Sequence, residues 1–125
     1  MHVISNQAPA ATGIPGIQHA TLAGSDDGLR RISVWQQALA PGAATPPHRH
    51  DCEEVVLCTA GEGELHVGGR VERFSADMTV LIPADVDHRI VSVGKEALQV
   101  VAVFGATPVA TWLPDGEPLA LPWRS

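Results

Sequence analysis

From Arg31 to Phe104, β-rich runs of four to nine residues alternate with Gly and Pro turn signals. Arg31–Leu39 ends at Pro41-Gly42, and Glu54–Thr59 stops at Ala60-Gly61. Glu64–Val67 and Val71–Phe74 flank Gly68-Gly69, a strong two-residue hairpin signal. Met78–Ile82 ends at Pro83, while Gly94-Lys95 separates Arg89–Val93 from Leu98–Phe104. No segment carries a convincing amphipathic helical period. At least seven short strands at this spacing predict an all-β fold, an antiparallel sandwich or barrel.

Composition narrows the function classes. A chain of 125 residues is one domain with a real core. With 45% hydrophobic and 18% charged residues, neither a disordered chain nor a membrane protein fits. A formal charge of −6 has the wrong sign for non-specific binding to nucleic acid or an anionic membrane. The first cation is Arg30 and no apolar run is long enough to span a bilayer, so a cytoplasmic protein is expected. Extended strand between Cys52 and Cys58 separates them by roughly 20 Å, too far for a disulfide, and both read as reduced thiols. Residues 1–24 read as an irregular N-terminal arm. The tail from Pro108 holds four prolines and two of the three tryptophans.

Among six histidines, His48 and His50 are two apart, so on a strand both imidazoles project from one face. Glu54 lies four residues on, where the chain turns into the next strand, and His88 follows the turn at Pro83. Neutral imidazoles with a carboxylate suit one divalent transition ion: Fe, Mn, Ni, Co, Cu or Zn. Four protein ligands also leave coordination positions for substrate or water.

The stretch Gly42 to Gly61 resembles the first motif of the cupin superfamily: Gly, five residues, His-x-His, three residues, Glu, six residues, Gly. Asp77 to Ser92 resembles the second motif. Pro83 and His88 match there, whereas Asp77 and Asp85 stand in place of glycines and Ser92 in place of Asn. Asp tolerates a left-handed backbone better than most residues, so those turns remain feasible. Fifteen residues, Glu62–Ala76, separate the motifs, as in small bacterial single-domain cupins. The resemblance covers residues 25–110 and implies a double-stranded β-helix (jelly-roll) barrel with a metal inside. Residues 111–125 are then a tail packed on the barrel or on a partner. By position, His48, His50, Glu54 and His88 are the implied ligands. Glu53 is the competing carboxylate, off the motif and facing the other way.

Alternation places Val56, Cys58, Ile90 and Ser92 on the ligand face as pocket lining. Gln37, Gln99 and Phe104 are further candidates. This lining carries no cation, which points to a small neutral or aromatic molecule that chelates the ion. Val55, Leu57, Val91 and Val93 make the opposite face apolar too, and a homodimer or the terminal segments would cover it. His2, His19 and His66 lack partners at ligand spacing. Arg49 and Arg89 suit salt bridges outside the barrel, the three tryptophans suit packing, and Asp26-Asp27 suits a solvated turn. The leading expectation is a metal-dependent enzyme of dioxygenase type acting on a small molecule. The alternatives are a Lewis-acid isomerase, lyase or cyclase, and a non-catalytic ligand-binding or sensing module.

Overall fold

In the computed structural model, which describes residues 2–125, Gly68 and Gly69 both take positive φ, +56° and +74°. That is the backbone a two-residue hairpin with right-handed strand twist requires. The hairpin joins β5 (Glu62–Val67) to β6 (Arg70–Ser75). The other strands among the described residues are β1 (Ala10–Ala11), β2 (Ile17–Ala23), β3 (Ser33–Leu39), β4 (Glu54–Ala60), β7 (Thr79–Ile82), β8 (His88–Ser92) and β9 (Leu98–Phe104). Every pairing between strands is antiparallel.

One sheet runs β1-β2-β3-β9-β4-β7 and the other β6-β5-β8. Bridges from Ala44 to Val91 and from His48 to His88 lay the segment before β4 alongside β8. The result is the jelly-roll barrel expected from the motif resemblance. Asp77 and Asp85 adopt φ of +67° and +65°, the left-handed turns for which the motif uses glycine.

Ile17–Ala23, assigned to the arm on sequence, is instead a full strand paired with β3 along its length. Its sequence IQHATLA escapes a strand reading because the face shared by Ile17, His19 and Thr21 is not an apolar series. The seven runs read as strands all form strands, with ends shifted by no more than two residues.

Trp35, Leu39, Val56, Ile90, Leu98 and Phe104 anchor one continuous core between the two sheets. Gly63 belongs to that packing: a Cβ there would stand 2.4 Å from the Phe74 ring. On the outer surface, Leu57, Met78 and Leu81 are exposed, Leu81 by 72%. Residues 111–125 fold back over the barrel. Trp112 bridges to Arg49, Leu119 N donates to Thr111 O, and Arg124 makes a two-point ion pair with Asp26 at 2.7 and 2.8 Å.

Candidate metal centre

Reciprocal backbone hydrogen bonds between His48 and His88, 3.0 and 2.9 Å, fix those two residues side by side on adjacent segments of one wall. His50 follows two residues later, and Glu54 opens β4 with its side chain inward. His50, Glu54 and His88 are buried, whereas Glu53 is exposed. One ring nitrogen from each of His48, His50 and His88 lies within 4.8 Å of the others.

The orientation of each ring is set by the main chain. Nδ1 of His48, His50 and His88 contacts the carbonyl oxygens of Pro46, Ala110 and Val86 at 2.6, 3.0 and 2.8 Å. A carbonyl only accepts, so each Nδ1 carries the proton and each Nε2 keeps its lone pair for an ion. Oε1 of Glu54 lies 3.6 Å from Nε2 of His50 and 3.4 Å from Nε2 of His88, buried and without a hydrogen-bond partner. Three aligned lone pairs beside an orphaned buried carboxylate oxygen fit a cation. Burial, then the charge of His88, lowers His48 to about 4, and burial lowers His50. Burial opposes the charge on His88, but the adjacent Glu54 carboxylate, the Val86 carbonyl and Asp87 together outweigh it and raise it.

A cavity opens beside these residues. It is walled by Val56, Ile90, Val100, Ala102, Phe104 and Trp35, with Leu119, Leu121 and Trp123 of the C-terminal segment across it. Val56 and Ile90 therefore sit where alternation put them. Cys58 and Ser92 do not line it; both are buried beyond it, and the Cys58 thiol turns to the carbonyl oxygens of Ala60 and Gly61. Alternation gives the correct face of a strand but not the depth at which the barrel closes. Phe104 and Gln37 line the cavity, whereas Gln99 is exposed. The C-terminal lining was not anticipated, although the period-two spacing of Leu119, Leu121 and Trp123 is a strand-like signal.

Of the three remaining histidines, His2 is exposed. His66 pairs with Glu64 at 3.0 Å. His19 is buried, stacks on Trp123 at 4.0 Å between ring centroids, and meets Trp35 edge-on at 5.2 Å. Burial lowers its pKa to about 4. Arg49 pairs with Asp87 at 3.1 Å outside the barrel, as expected, while Arg89 pairs with no carboxylate among the described residues. Cys52 and Cys58 are both unpaired thiols. No helix is long and apolar enough to cross a membrane, among the described residues.

Residues 1–120 match a family model described as auxin binding protein. Auxin-binding protein 1 of Arabidopsis thaliana is 35% identical over 111 residues, which cover 81% of this chain and 56% of that protein. The chain thus spans a little over half the length of the curated relatives it matches. Among solved structures, the polyketide cyclase RemF from Streptomyces resistomycificus superposes with a TM-score of 0.69 at 23% identity, over 85% of this chain and 78% of that one. Oxalate decarboxylase from Bacillus subtilis superposes with a TM-score of 0.74 at 20% identity, over 87% of this chain and 30% of that one. At such identities the two structures establish the fold.

Proposed function

The chain belongs to the auxin-binding protein family, and on that premise we propose that its barrel binds a small, ring-bearing organic molecule through a metal-coordinating head group such as a carboxylate. His48, His50, Glu54 and His88 would hold one divalent transition ion, which when bound supplies a Lewis-acidic anchor. The apolar wall of Val56, Ile90, Ala102 and Phe104 supports a ring rather than a polar chain. The observation that carries binding over catalysis is the lining itself: its only titratable side chains are the four in the metal set. No other acid or base faces the cavity to move a substrate proton.

An enzyme of dioxygenase or Lewis-acid type is the second reading. It is supported by a donor set that does not saturate a six-coordinate ion. Titration calorimetry of the zinc-loaded protein with indole-3-acetate, an auxin, tests the first reading. Mass spectrometry of a metabolite pool incubated with the iron-, manganese- and zinc-loaded protein, with and without O₂, tests the second. Saturable uptake of unchanged ligand supports binding, and a new product supports the enzyme. Neither uptake nor product overturns both.

With Leu119, Leu121 and Trp123 in place, the cavity encloses about 60 Å³. A cavity of roughly 150 Å³ is known to take a benzene ring. A ring of that size therefore needs more room than the cavity offers with this segment in place. The exposed Leu57 and Leu81 beside the free edge of β7 support a symmetric homodimer, and the unpaired thiols support a reducing compartment such as the cytoplasm.

A further inference from the structure

The His48-Arg49-His50 segment is held from both sides. His48 exchanges two backbone hydrogen bonds with His88, and the carbonyl oxygen of His50 accepts from Asp85 N at 2.8 Å. Arg49 turns its own N–H and C=O the other way, to Trp112, at 2.9 and 3.0 Å. Trp112 belongs to a C-terminal hairpin. Leu113 N donates to Glu117 O and Leu119 N to Thr111 O, each at 2.9 Å, around a turn in which Gly116 takes a φ of +91°. One arm of this hairpin thus flanks the ligand segment as a neighbouring strand would, and Leu119 on the returning arm lines the cavity.

Two side chains tie the hairpin to the ligands. Nδ1 of His50 faces the carbonyl oxygen of Ala110 at 3.0 Å and, at 3.2 Å, the hydroxyl oxygen of Thr111, a buried residue. With its proton on Nδ1, the imidazole offers Thr111 Oγ1 a donor and no acceptor. The Arg49 guanidinium projects outside the barrel. Its Nη1 lies 3.1 Å from Asp87 Oδ1, and 3.2 and 3.4 Å from the carbonyl oxygens of Leu113 and Pro114 in the hairpin turn. Asp87 precedes His88, so Arg49 joins the hairpin to the neighbour of the third imidazole. Arg89 also adjoins a ligand in sequence, but it pairs with no carboxylate among the described residues.

We propose that Arg49 and Thr111 are positioning residues through which the C-terminal hairpin completes the metal centre, fixing the His50 imidazole from outside the donor set. This rests on the four-residue metal set above. An imidazole already held at Nδ1 presents Nε2 without having to be ordered by the ion. Loss of such an outer partner weakens metal binding by about 10–100-fold. The coupling is reciprocal: an ion that favours the held His50 favours the docked hairpin by the same factor.

Zinc affinity of the full chain, measured by competition with a chromophoric chelator, tests the assignment. Thr111→Val keeps the side-chain shape and removes the hydroxyl; it should bind zinc about tenfold more weakly, and Thr111→Ser should keep the wild-type affinity. Arg49→Met should weaken zinc binding as well. That direction is diagnostic, because removing a cation near a divalent ion would by charge alone strengthen binding. Arg89→Met, which removes the comparable charge beside His88, should not weaken it. Amide hydrogen exchange in residues 110–119 should be slower in the zinc-loaded wild type than in the metal-free protein, and this protection should shrink in Thr111→Val. Unchanged zinc affinity in both Thr111→Val and Arg49→Met overturns the assignment, with the metal set intact. Equal losses in Thr111→Val and Thr111→Ser overturn the role of the hydroxyl, and exchange indifferent to zinc overturns the coupling. A wild type that binds no zinc overturns the metal set and this assignment with it.

Discussion

Oε1 of Glu54 stands 3.4 Å from Nε2 of His88 in a pocket where that oxygen has no hydrogen-bond partner. A buried carboxylate oxygen without a partner costs on the order of a few kcal/mol unless a charge arrives to meet it. The expected occupant is the ion that the three imidazoles also face. Replacing His48, His50, Glu54 or His88 with Ala should reduce bound metal at least tenfold by elemental analysis, and Glu54→Gln should do so without enlarging the site. His66→Ala, outside the cavity, should leave metal content unchanged. Full metal content in a His48→Ala/His50→Ala double variant would contradict the assignment.

Stability should fall in mild acid through His19. Burial takes this group from 6.5 to about 4, so between those values the unfolded chain binds a proton that the native chain does not. The contribution of His19 is fully present above about pH 6.5 and is lost progressively as pH drops towards 4. Urea midpoints of metal-loaded protein at pH 7.5 and 5 should differ less in His19→Phe than in the wild type. An equal difference in both would exclude His19 as a source.

Gly63→Ala should destabilise the barrel by about 1–3 kcal/mol, the usual range for overpacking, because the added methyl meets Phe74 at 2.4 Å. Gly63→Ala/Phe74→Leu should recover part of the loss in urea denaturation. No recovery would place the cost elsewhere.

Leu121→Ala should enlarge the 60 Å³ cavity from its mouth. Stopped-flow binding of indole-3-acetate to the zinc-loaded variant should show faster association than the wild type. An unchanged association rate would mean that the C-terminal segment does not limit entry.

Leu81, 72% exposed on the edge strand β7, predicts a dimer. Light scattering at micromolar concentration should give about twice the 13.1 kDa chain mass, and Leu81→Lys should return it to one. A wild-type monomer would rule this interface out.

The antiparallel β class was accessible from the spacing of strands and turns, whereas the jelly-roll and the four candidate ligands came from the motif resemblance. His48 and His50 share a face by strand geometry, and Gly68-Gly69 names its own turn. The hydrogen bonds of His19 with Gln37 and Thr21, and of Thr21 with a carbonyl 103 residues away, were not accessible, because they join β2 to β3 and to the C-terminal segment. His19 showed only as a histidine without partners at ligand spacing, because its partners are adjacent only after β2 pairs with β3 and Trp123 folds back. Cys58 and Ser92 were placed one step too close to the cavity because period two carries no information on where the walls converge.

The carbonyls that hold the three ligand imidazoles belong to Pro46, Val86 and Ala110, and a carbonyl is common to every amino acid. Substitution of those three side chains therefore cannot delete the support; only a change in the path of the backbone can. The cavity wall, by contrast, is made of side chains and is open to point mutation at every position. A lineage descending from this chain can accordingly drift from one ligand to another while the geometry that grips the ion is inherited intact.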